Sequence, residues 1–298
     1  MSRIVVLGDL NLDILATLPE ELPREGEVRS PIQVMPGGSA GNFARAAAHA
    51  GAEVTFIGCV GDDLVGELLV RSLQVSGVDT RVKRVDRQSG TIISLAKERG
   101  KTMICSRGAN DGLDSTWIEE GFFVNADHLH LSGYSFLTPA QRSATHRAIE
   151  IAHSLDLTIS IDPPPANLIR NFGVSAFLAE ISTADFIFPN LDEGMTLSGK
   201  ETKKEIVDIL AELFPMGGLT LGKEGSLAWH GKERDRYVSH PITAIDATGA
   251  GDAFAAGFVV SYLEDHDLAR ANQQGNKAAL QILTERGPLT GSPSTPAG

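Results

Sequence analysis

Asp246-Ala-Thr-Gly-Ala-Gly-Asp252-Ala-Phe254, running on into Ala255-Ala-Gly-Phe-Val-Val-Ser-Tyr-Leu263, is the stretch on which the reading of this chain turns. Gly249 and Gly251 let the backbone turn tightly and approach a ligand closely. The run from Ala253 to Leu263 has the composition of a buried helix. The N–H groups of Gly249, Ala250 and Gly251 would then point outward from a positive helix end, an arrangement suited to phosphate. Asp252 changes the meaning of that end. A site made only to hold phosphate gains nothing from a carboxylate, because like charges repel. A phosphoryl-transfer site does, if the carboxylate removes a proton from the attacking hydroxyl. Two other readings fit parts of the segment. A dinucleotide-binding Gly-x-Gly-x-x-Gly turn fails at its third position, which is Phe254, and too little chain follows for a βαβ unit. A structural glycine loop with Asp252 at the helix start is the plainer alternative. A Gly-x-x-x-x-Gly-Lys-Ser/Thr phosphate loop does not occur here.

Composition sets the bounds. The chain has 298 residues, 42% hydrophobic and 21% charged, enough to bury a sizeable core. Net charge is −12, from 38 acidic and 26 basic residues. With no long Lys/Arg patch, nucleic acid is not expected as a partner. An acidic surface can still hold a phosphate site, because local backbone dipoles decide there. Cys59 and Cys105 are the only cysteines, with neither metal-ligand spacing nor a disulfide framework, which suits a reducing cytoplasm. The sequence enters strand-like residues at Arg3-Ile-Val-Val-Leu7 without a signal peptide, and no apolar run reaches about 18 residues, so no membrane span is expected.

Along the chain, β-rich apolar runs alternate with helical patterns. They are Ile4–Leu7, Asn42–Ala50, Val54–Val60 and Leu64–Val75, then Leu129–Leu131, Ala140–Leu155, Thr158–Ile161, Phe186–Phe188, Lys203–Leu213 and Leu219–Leu221. This alternation predicts an α/β fold with a mostly parallel sheet flanked by helices. Thr91–Ala96 and Thr102–Cys105 read as a hairpin around Lys97-Glu-Arg-Gly-Lys101, and residues 14–35 are rich in Pro and Glu with short β-like pieces. Neither fits a helix layer. Together they predict a small sheet over one edge of the main fold, as a lid, with surface decoration as the plainer alternative. Residues 289–298 are small, polar and Pro-rich and are expected to form a flexible tail.

A second glycine site lies upstream at Met35-Pro-Gly37-Gly38-Ser-Ala-Gly41-Asn42, before the small-residue helix Phe43–Ala50. Asn42 both donates and accepts hydrogen bonds, as a polyol does; an N-cap is its plainer role. Asn11 and Asp13 follow the first strand in Gly8-Asp-Leu-Asn-Leu-Asp13. In α/β sheets ligands bind beyond the C-terminal strand ends, and Asp13 is placed there to hold a pair of sugar hydroxyls; a turn acid is the alternative. His49 reads as a packing histidine and Arg45 as a surface or helix charge.

Taken together, the two sites resemble the ribokinase family, the phosphofructokinase-B-type carbohydrate kinases, over essentially the whole chain. The resemblance is carried by Gly37-Gly38-x-x-x-Asn42-x-Ala44, Gly61-Asp62-Asp63-x-x-Gly66, Asn190-Leu-Asp-Glu193, Thr220-Leu-Gly222-Lys-Glu-Gly225, Asp246-x-Thr248-Gly249-Ala250-Gly251-Asp252 and Asn276. It implies a three-layer ribokinase-like fold in one domain, with a β lid from roughly 12–36 and 86–108. It also implies transfer of the γ-phosphoryl of ATP to a hydroxymethyl group of a sugar or nucleoside. By that similarity Asp252 would be the base, and Gly249, Ala250 and Gly251 the anion hole. Asp13, Asn11, Gly37, Gly38, Asn42 and Asn110 would hold the acceptor. Asn190, Glu193, Thr220, Gly222, Gly225 and Asn276 would border the nucleotide. Glu193 would organise Mg²⁺ through water. Asp246 and the Thr248 backbone match the place where many members hold a monovalent cation such as K⁺, with Thr284–Ser292 as the closing loop. The lid makes a dimer interface in many relatives. Asp162-Pro-Pro-Pro165 departs from the Asn-Pro form frequent in ribokinases, which leaves ribose open as the acceptor and Asp162 as a strand-end acid. A phosphofructokinase-like enzyme would need Arg or Lys side chains converging on the sugar's far end, for which Arg87, Lys101 and Arg107 are the candidates. A catalytically silent sugar or nucleotide sensor on the same fold is the reading from another class, and an intact Asp252 speaks against it.

Overall fold

The computed structural model describes residues 1–19, 21, 24–97, 100–239 and 248–285. In chain order the elements are β1 (Arg3–Leu7), β2 (Asn11–Thr17), β3 (Ile32–Gly37), α1 (Ser39–His49), β4 (Glu53–Gly61), α2 (Leu64–Val75), β5 (Asp79–Val85), β6 (Gly90–Lys97), β7 (Gly100–Ser106), β8 (His128–Ser132), α3 (Pro139–Ser154), β9 (Thr158–Asp162), α4 (Ala166–Phe172), α5 (Val174–Glu180), β10 (Phe186–Ile187), α6 (Leu191–Ser198), α7 (Lys203–Leu213), β11 (Met216–Thr220), β12 (Ser226–His230), β13 (Glu233–Tyr237), α8 (Ala250–Asp265) and α9 (Leu268–Glu285). The main sheet runs β13-β12-β11-β10-β9-β8-β1-β4-β5 among the described residues, parallel except for β12 and β13. The mostly parallel α/β architecture expected from the sequence is therefore the observed one. The sequence pattern does not show β5 or the antiparallel β12–β13 pair. Their charged residues (Lys83, Arg84, Glu233, Arg234, Asp235) suit an edge and hide the apolar signal.

Alternate residues of β1 point to opposite layers. Val5 and Leu7 join a core with Ala144, Phe177, Ile206 and Trp229. Ile4 and Val6 join the other core, with Phe43, Leu69, Phe254 and Phe258. Strands buried on both faces read as continuous apolar runs, as Ile4–Leu7 does. Helix α8 is apolar all round and buried from Ala253 to Tyr262, so it sits inside the layer rather than on it. It packs closely on α9, where a Cβ at Gly257 would stand 2.8 Å from the Gln274 carbonyl.

A separate four-stranded sheet, β3-β2-β6-β7, carries the chain segments expected to form the second sheet. Its base is pinned by Asp63, the N-cap of α2. That carboxylate accepts from the N–H of Gly66 (2.7 Å) and Ser89 (2.8 Å) and from the Ser89 hydroxyl (2.7 Å). Burial opposes its ionisation, but these bonds prevail and hold it below the usual carboxylate range. Gly61-Asp62-Asp63-x-x-Gly66 thus works as a clasp between α2 and the start of β6.

Two histidines lie fully buried on β8. Ser160 Oγ bridges His128 Nε2 (2.7 Å) and His130 Nδ1 (2.8 Å), and the His130 ring stacks on Phe43 of α1 at 3.4 Å between centroids. Burial pushes His128 down to about 3 and His130 well below its usual value, so both are neutral in the fold. The unfolded chain takes up those protons near pH 6.5 and the fold does not. Stability is therefore fully present above about pH 6.5 and falls as the pH drops toward 3. Each excluded proton costs about 2 kcal/mol by pH 5. Urea midpoints measured from pH 7.5 to 5 should fall along this slope, and His128→Gln should flatten it.

Candidate active site

The chain passes from β1 outward to β4 and β5, then returns to lay β8 against the other side of β1. The strand order reverses between β1 and β8, and a crevice opens beyond their C-terminal ends, the place where α/β sheets bind ligands. The residues that follow the strands here converge on it. Asp9 accepts from Ser132 Oγ (3.1 Å) and from Asn11 Nδ2 (2.9 Å), which fastens the ends of β1 and β8 together. Asn11 Oδ1 accepts from Asn110 Nδ2 (2.8 Å), and Asn110 Oδ1 accepts from the Leu10 N–H (3.0 Å). Both Asn11 and Asn110 are buried. Their amides face each other at the start of β2. The physical reason is that a buried amide must find partners, and these two find one another.

Asp13 lies one residue pair further along β2, across from Met35 of β3 and Ile92 of β6. Its carboxylate occupies the space above Gly37, where a Cβ would stand 2.1 Å from Asp13 Oδ2. Gly38 takes φ 88°, a left-handed value that turns β3 into α1. Helix α1 therefore starts at Ser39, three residues earlier than the sequence pattern indicates. Gly38 rather than Asn42 stands at its N-cap. Asn42 sits in the first turns, and its side chain reaches toward α8, where Nδ2 donates to Asp252 Oδ2 at 2.8 Å.

Asp252 enters from the opposite end of the chain. Gly249, at φ 83°, is the N-cap of α8, so Ala250, Gly251 and Asp252 make up its first turn, and the helix begins three residues before the Ala253 expected from the sequence. The N–H groups at that turn have no helical partner and point outward. A Cβ on Gly251 would meet nothing within 4 Å among the described residues. Asp252 is buried, and burial raises its pKa; hydrogen bonds from Asp162, Asn42 and Ser39 act against that rise. Asp162, at the end of β9, is pushed well above the usual range by burial and then by the charge of Asp252. Two carboxylates about 4 Å apart repel by about 4 kcal/mol at an effective dielectric near 20, and one proton removes that repulsion. Of the two, Asp162 holds the shared proton more firmly and donates it in a hydrogen bond to Asp252. The sequence alone shows Asp162 only as a strand-end acid. Its signal is the position, the last residue of a strand at the ligand-binding edge.

Asn190 and Glu193 form a capping box at the start of α6. Glu193 Oε2 accepts from the Asn190 N–H (2.8 Å), Oε1 accepts from Asn190 Nδ2 (2.6 Å), and Asn190 Oδ1 accepts from the Glu193 N–H (3.0 Å). Glu193 is 7% exposed, and burial pushes its carboxyl up to about 8. Thr220 pairs with Asn190 across the strand ends. Gly222 borders open space, whereas a Cβ on Gly225 would strike the Tyr237 carbonyl at 2.1 Å. Gly225 is thus required by the turn itself. Asn276 of α9 donates through Nδ2 to Ser226 Oγ (2.6 Å). Tyr134, which no sequence motif singles out, stands on the short turn Gly133–Phe136 beyond β8; burial raises its phenol, and the charges of Asp9, Cys105, Asp252 and Glu193 add to that. Arg107 donates through Nε to Asp111 Oδ1 (2.8 Å) and through Nη2 to Gln141. Asp246 and the closing loop beyond Glu285 lie outside the described residues. Thr248 lies just before the α8 N-cap.

A crevice at a switch point, with an open helix N-terminus and a carboxylate in its first turn, defines a phosphotransferase-type α/β protein. Comparison with known proteins gives the family. The pfkB family carbohydrate kinase profile matches residues 1–295, and the chain belongs to that family. It is 29% identical to the ribokinase of Bacillus subtilis (strain 168) over 302 residues, covering 99% of this chain and 97% of that protein. It is 30% identical to an ATP-dependent ribose-1-phosphate kinase of Halopiger xanaduensis over 293 residues, covering 93% of this chain and 90% of that protein. The crystal structure of adenosine kinase from Sinorhizobium meliloti superposes with a TM-score of 0.87 at 26% identity, covering 97% of this chain and 96% of that one. The chain is thus a phosphotransferase with an alcohol group as acceptor.

Gly37→Ala tests how the Asp13 carboxylate is seated. The added methyl must displace it, since the contact would be 2.1 Å. The acceptor KM should rise about tenfold or more, while the ATP KM changes less than about twofold; steady-state kinetics on both substrates measures the two.

Proposed function

We propose that the protein transfers the γ-phosphoryl group of ATP to a hydroxymethyl group of a sugar or nucleoside. The observation that carries this reading is the Asp252 carboxyl, hydrogen-bonded by Asn42 at 2.8 Å and standing in the first turn of α8. Asp13, the backbone at Gly37 and Gly38, and Asn42 hold the acceptor so that its hydroxymethyl oxygen faces Asp252. As that oxygen attacks the γ-phosphorus, its proton passes to Asp252, a P–O bond forms, and the β–γ bridging bond breaks to release ADP. The N–H groups of Gly249, Ala250 and Gly251 stabilise the charge on the transferring phosphoryl. Asn190 and Thr220 border the triphosphate, and Gly222, Gly225 and Asn276 the base.

The donor set near the phosphates fits Mg²⁺. This ion keeps several waters and takes one or two carboxylates plus phosphate oxygens, and both Glu193 oxygens already accept from Asn190, so Glu193 would act through water. Bound there, Mg²⁺ would supply positive charge to neutralise the phosphates. A monovalent ion such as K⁺ would sit at Asp246 and the Thr248 backbone. An unphosphorylated acceptor is favoured over a sugar phosphate, because Arg107 is engaged by Asp111 and Gln141. The two unpaired cysteines suit a reducing cytoplasm, and among the described residues no helix is long and apolar enough to cross a membrane.

The small sheet serves as the lid and as the contact between two copies of the chain. Val34, Ile14, Ile93 and Ile104 line up across its four strands on the face opposite Asp13, and Val34 and Ile104 are 60% and 57% exposed. A row of this kind left in water favours association. Val34→Asp with Ile104→Lys should convert a dimer to a folded monomer in sedimentation equilibrium.

Turnover should be tested as Mg²⁺/ATP-dependent ADP release over pentoses, hexoses, keto-sugars, polyols, nucleosides and their phosphates. Asp252→Asn should stay folded and lose about 10²–10⁴-fold in kcat. Near-normal turnover in that variant would remove Asp252 as the base.

A further inference from the structure

A polar chain leads away from Asp252 into α1. Asn42 Nδ2 donates to Asp252 Oδ2 at 2.8 Å, and Asn42 Oδ1 accepts from Arg45 Nη2 at 2.7 Å. The same Nη2 also donates to the carbonyl of Pro36, on β3, at 3.1 Å. Arg45 follows Asn42 by three residues, so both side chains lie on one face of the helix. An Asn amide is nearly symmetric in shape, and its orientation is decided by what its two ends meet. With a guanidinium on Oδ1, the amide must present its NH₂ to the carboxylate. Turned the other way, it would set donor against donor and oxygen against oxygen, losing both bonds. The contact to Pro36 ties the guanidinium to the lid as well. It fastens the end of β3, the strand whose Gly37 underlies Asp13, to the helix that orients Asp252.

We propose that Arg45 is a positioning residue that locks the Asn42 amide with its NH₂ toward Asp252 and couples the seating of β3 to that carboxylate. The geometry stands by itself; its consequence for turnover rests on the reading of Asp252 as the base. The groups facing Asp252 are Asp162 from β9, Asp9 after β1, Tyr134 after β8, Glu193 from α6, and Ser39 and Asn42 from α1. Of these, Asn42 is the group that accepts from Arg45.

The test uses the full-length protein with ¹³C at the Asp side-chain carboxyls and no added ligand. The Asp252 signal is assigned by its loss in Asp252→Asn, and its titration is followed in wild type, Arg45→Met, Arg45→Lys, Asn42→Ala and Asn42→Ala/Arg45→Met. Arg45→Met should raise the Asp252 midpoint by about half a pH unit, because the carboxylate loses an oriented donor. Arg45→Lys should restore most of that shift, and Arg45→Met should add nothing once Asn42 is Ala. A purely structural Arg45 would give neither the rescue nor the dependence on Asn42. An unchanged midpoint in folded Arg45→Met, or the same shift with Asn42 absent, overturns the proposal. If Arg45→Met does not fold, Arg45→Gln, which keeps the stem and removes the charge, carries the same comparison. Turnover in Asp252→Asn on the acceptor panel would overturn the base reading alone and leave the titration to decide Arg45.

Discussion

The hydrogen bond between Asn42 and Asp252 joins residues 210 positions apart in sequence. It sets the starts of α1 and α8 side by side at the crevice. Each helix begins just after a glycine in left-handed backbone, Gly38 and Gly249, so each first turn opens abruptly where a strand or loop ends. Two helix N-termini aimed at one point concentrate positive potential there. A lone buried carboxylate would tend to protonate in such an apolar setting. The hydrogen bonds from Asp162, Asn42 and Ser39 act against the rise that burial imposes on Asp252.

The same constraint explains how a chain of net charge −12 can build a site for phosphate. Asp9, Asp13, Asp162, Glu193 and Asp252 all surround the crevice, and a buried carboxylate is tolerated only where donors satisfy it. Asp9 is satisfied by Ser132 and Asn11, and Glu193 by both nitrogens of Asn190. Asp162 takes a proton instead. Each acid is thereby quenched locally, and the potential left at the mouth is that of the exposed backbone N–H groups. The pair made by Asn11 and Asn110 belongs to this scheme, since it holds the turn after β1 on which Asp9 and Asp13 depend.

Much of this was legible in the chain itself. Continuous apolar runs such as Ile4–Leu7 are read directly as doubly buried strands. Asp246–Asp252, Gly37–Asn42 and Asn190–Glu193 carry their meaning in local spacing, because a helix start and its capping residues lie within one turn. The edge strands β5 and β13 were not legible, since charges that keep an edge from pairing also erase the apolar pattern. Asn42 is ambiguous between a cap and a ligand in the sequence, and the placement of Gly38 at the N-cap removes the first of these.

By itself the sequence determined the α/β class, the two glycine turns ahead of helices and the carboxylate beside the second of them, all of which are local in the chain. Tertiary structure alone decided what those residues meet. Asp162 became the hydrogen-bond partner of Asp252, Arg45 the guanidinium that meets Asn42, and Asn110 the partner of Asn11. The reason is physical: partners of buried polar groups are chosen by distance in space after the layers have packed, and no spacing along the chain encodes that distance.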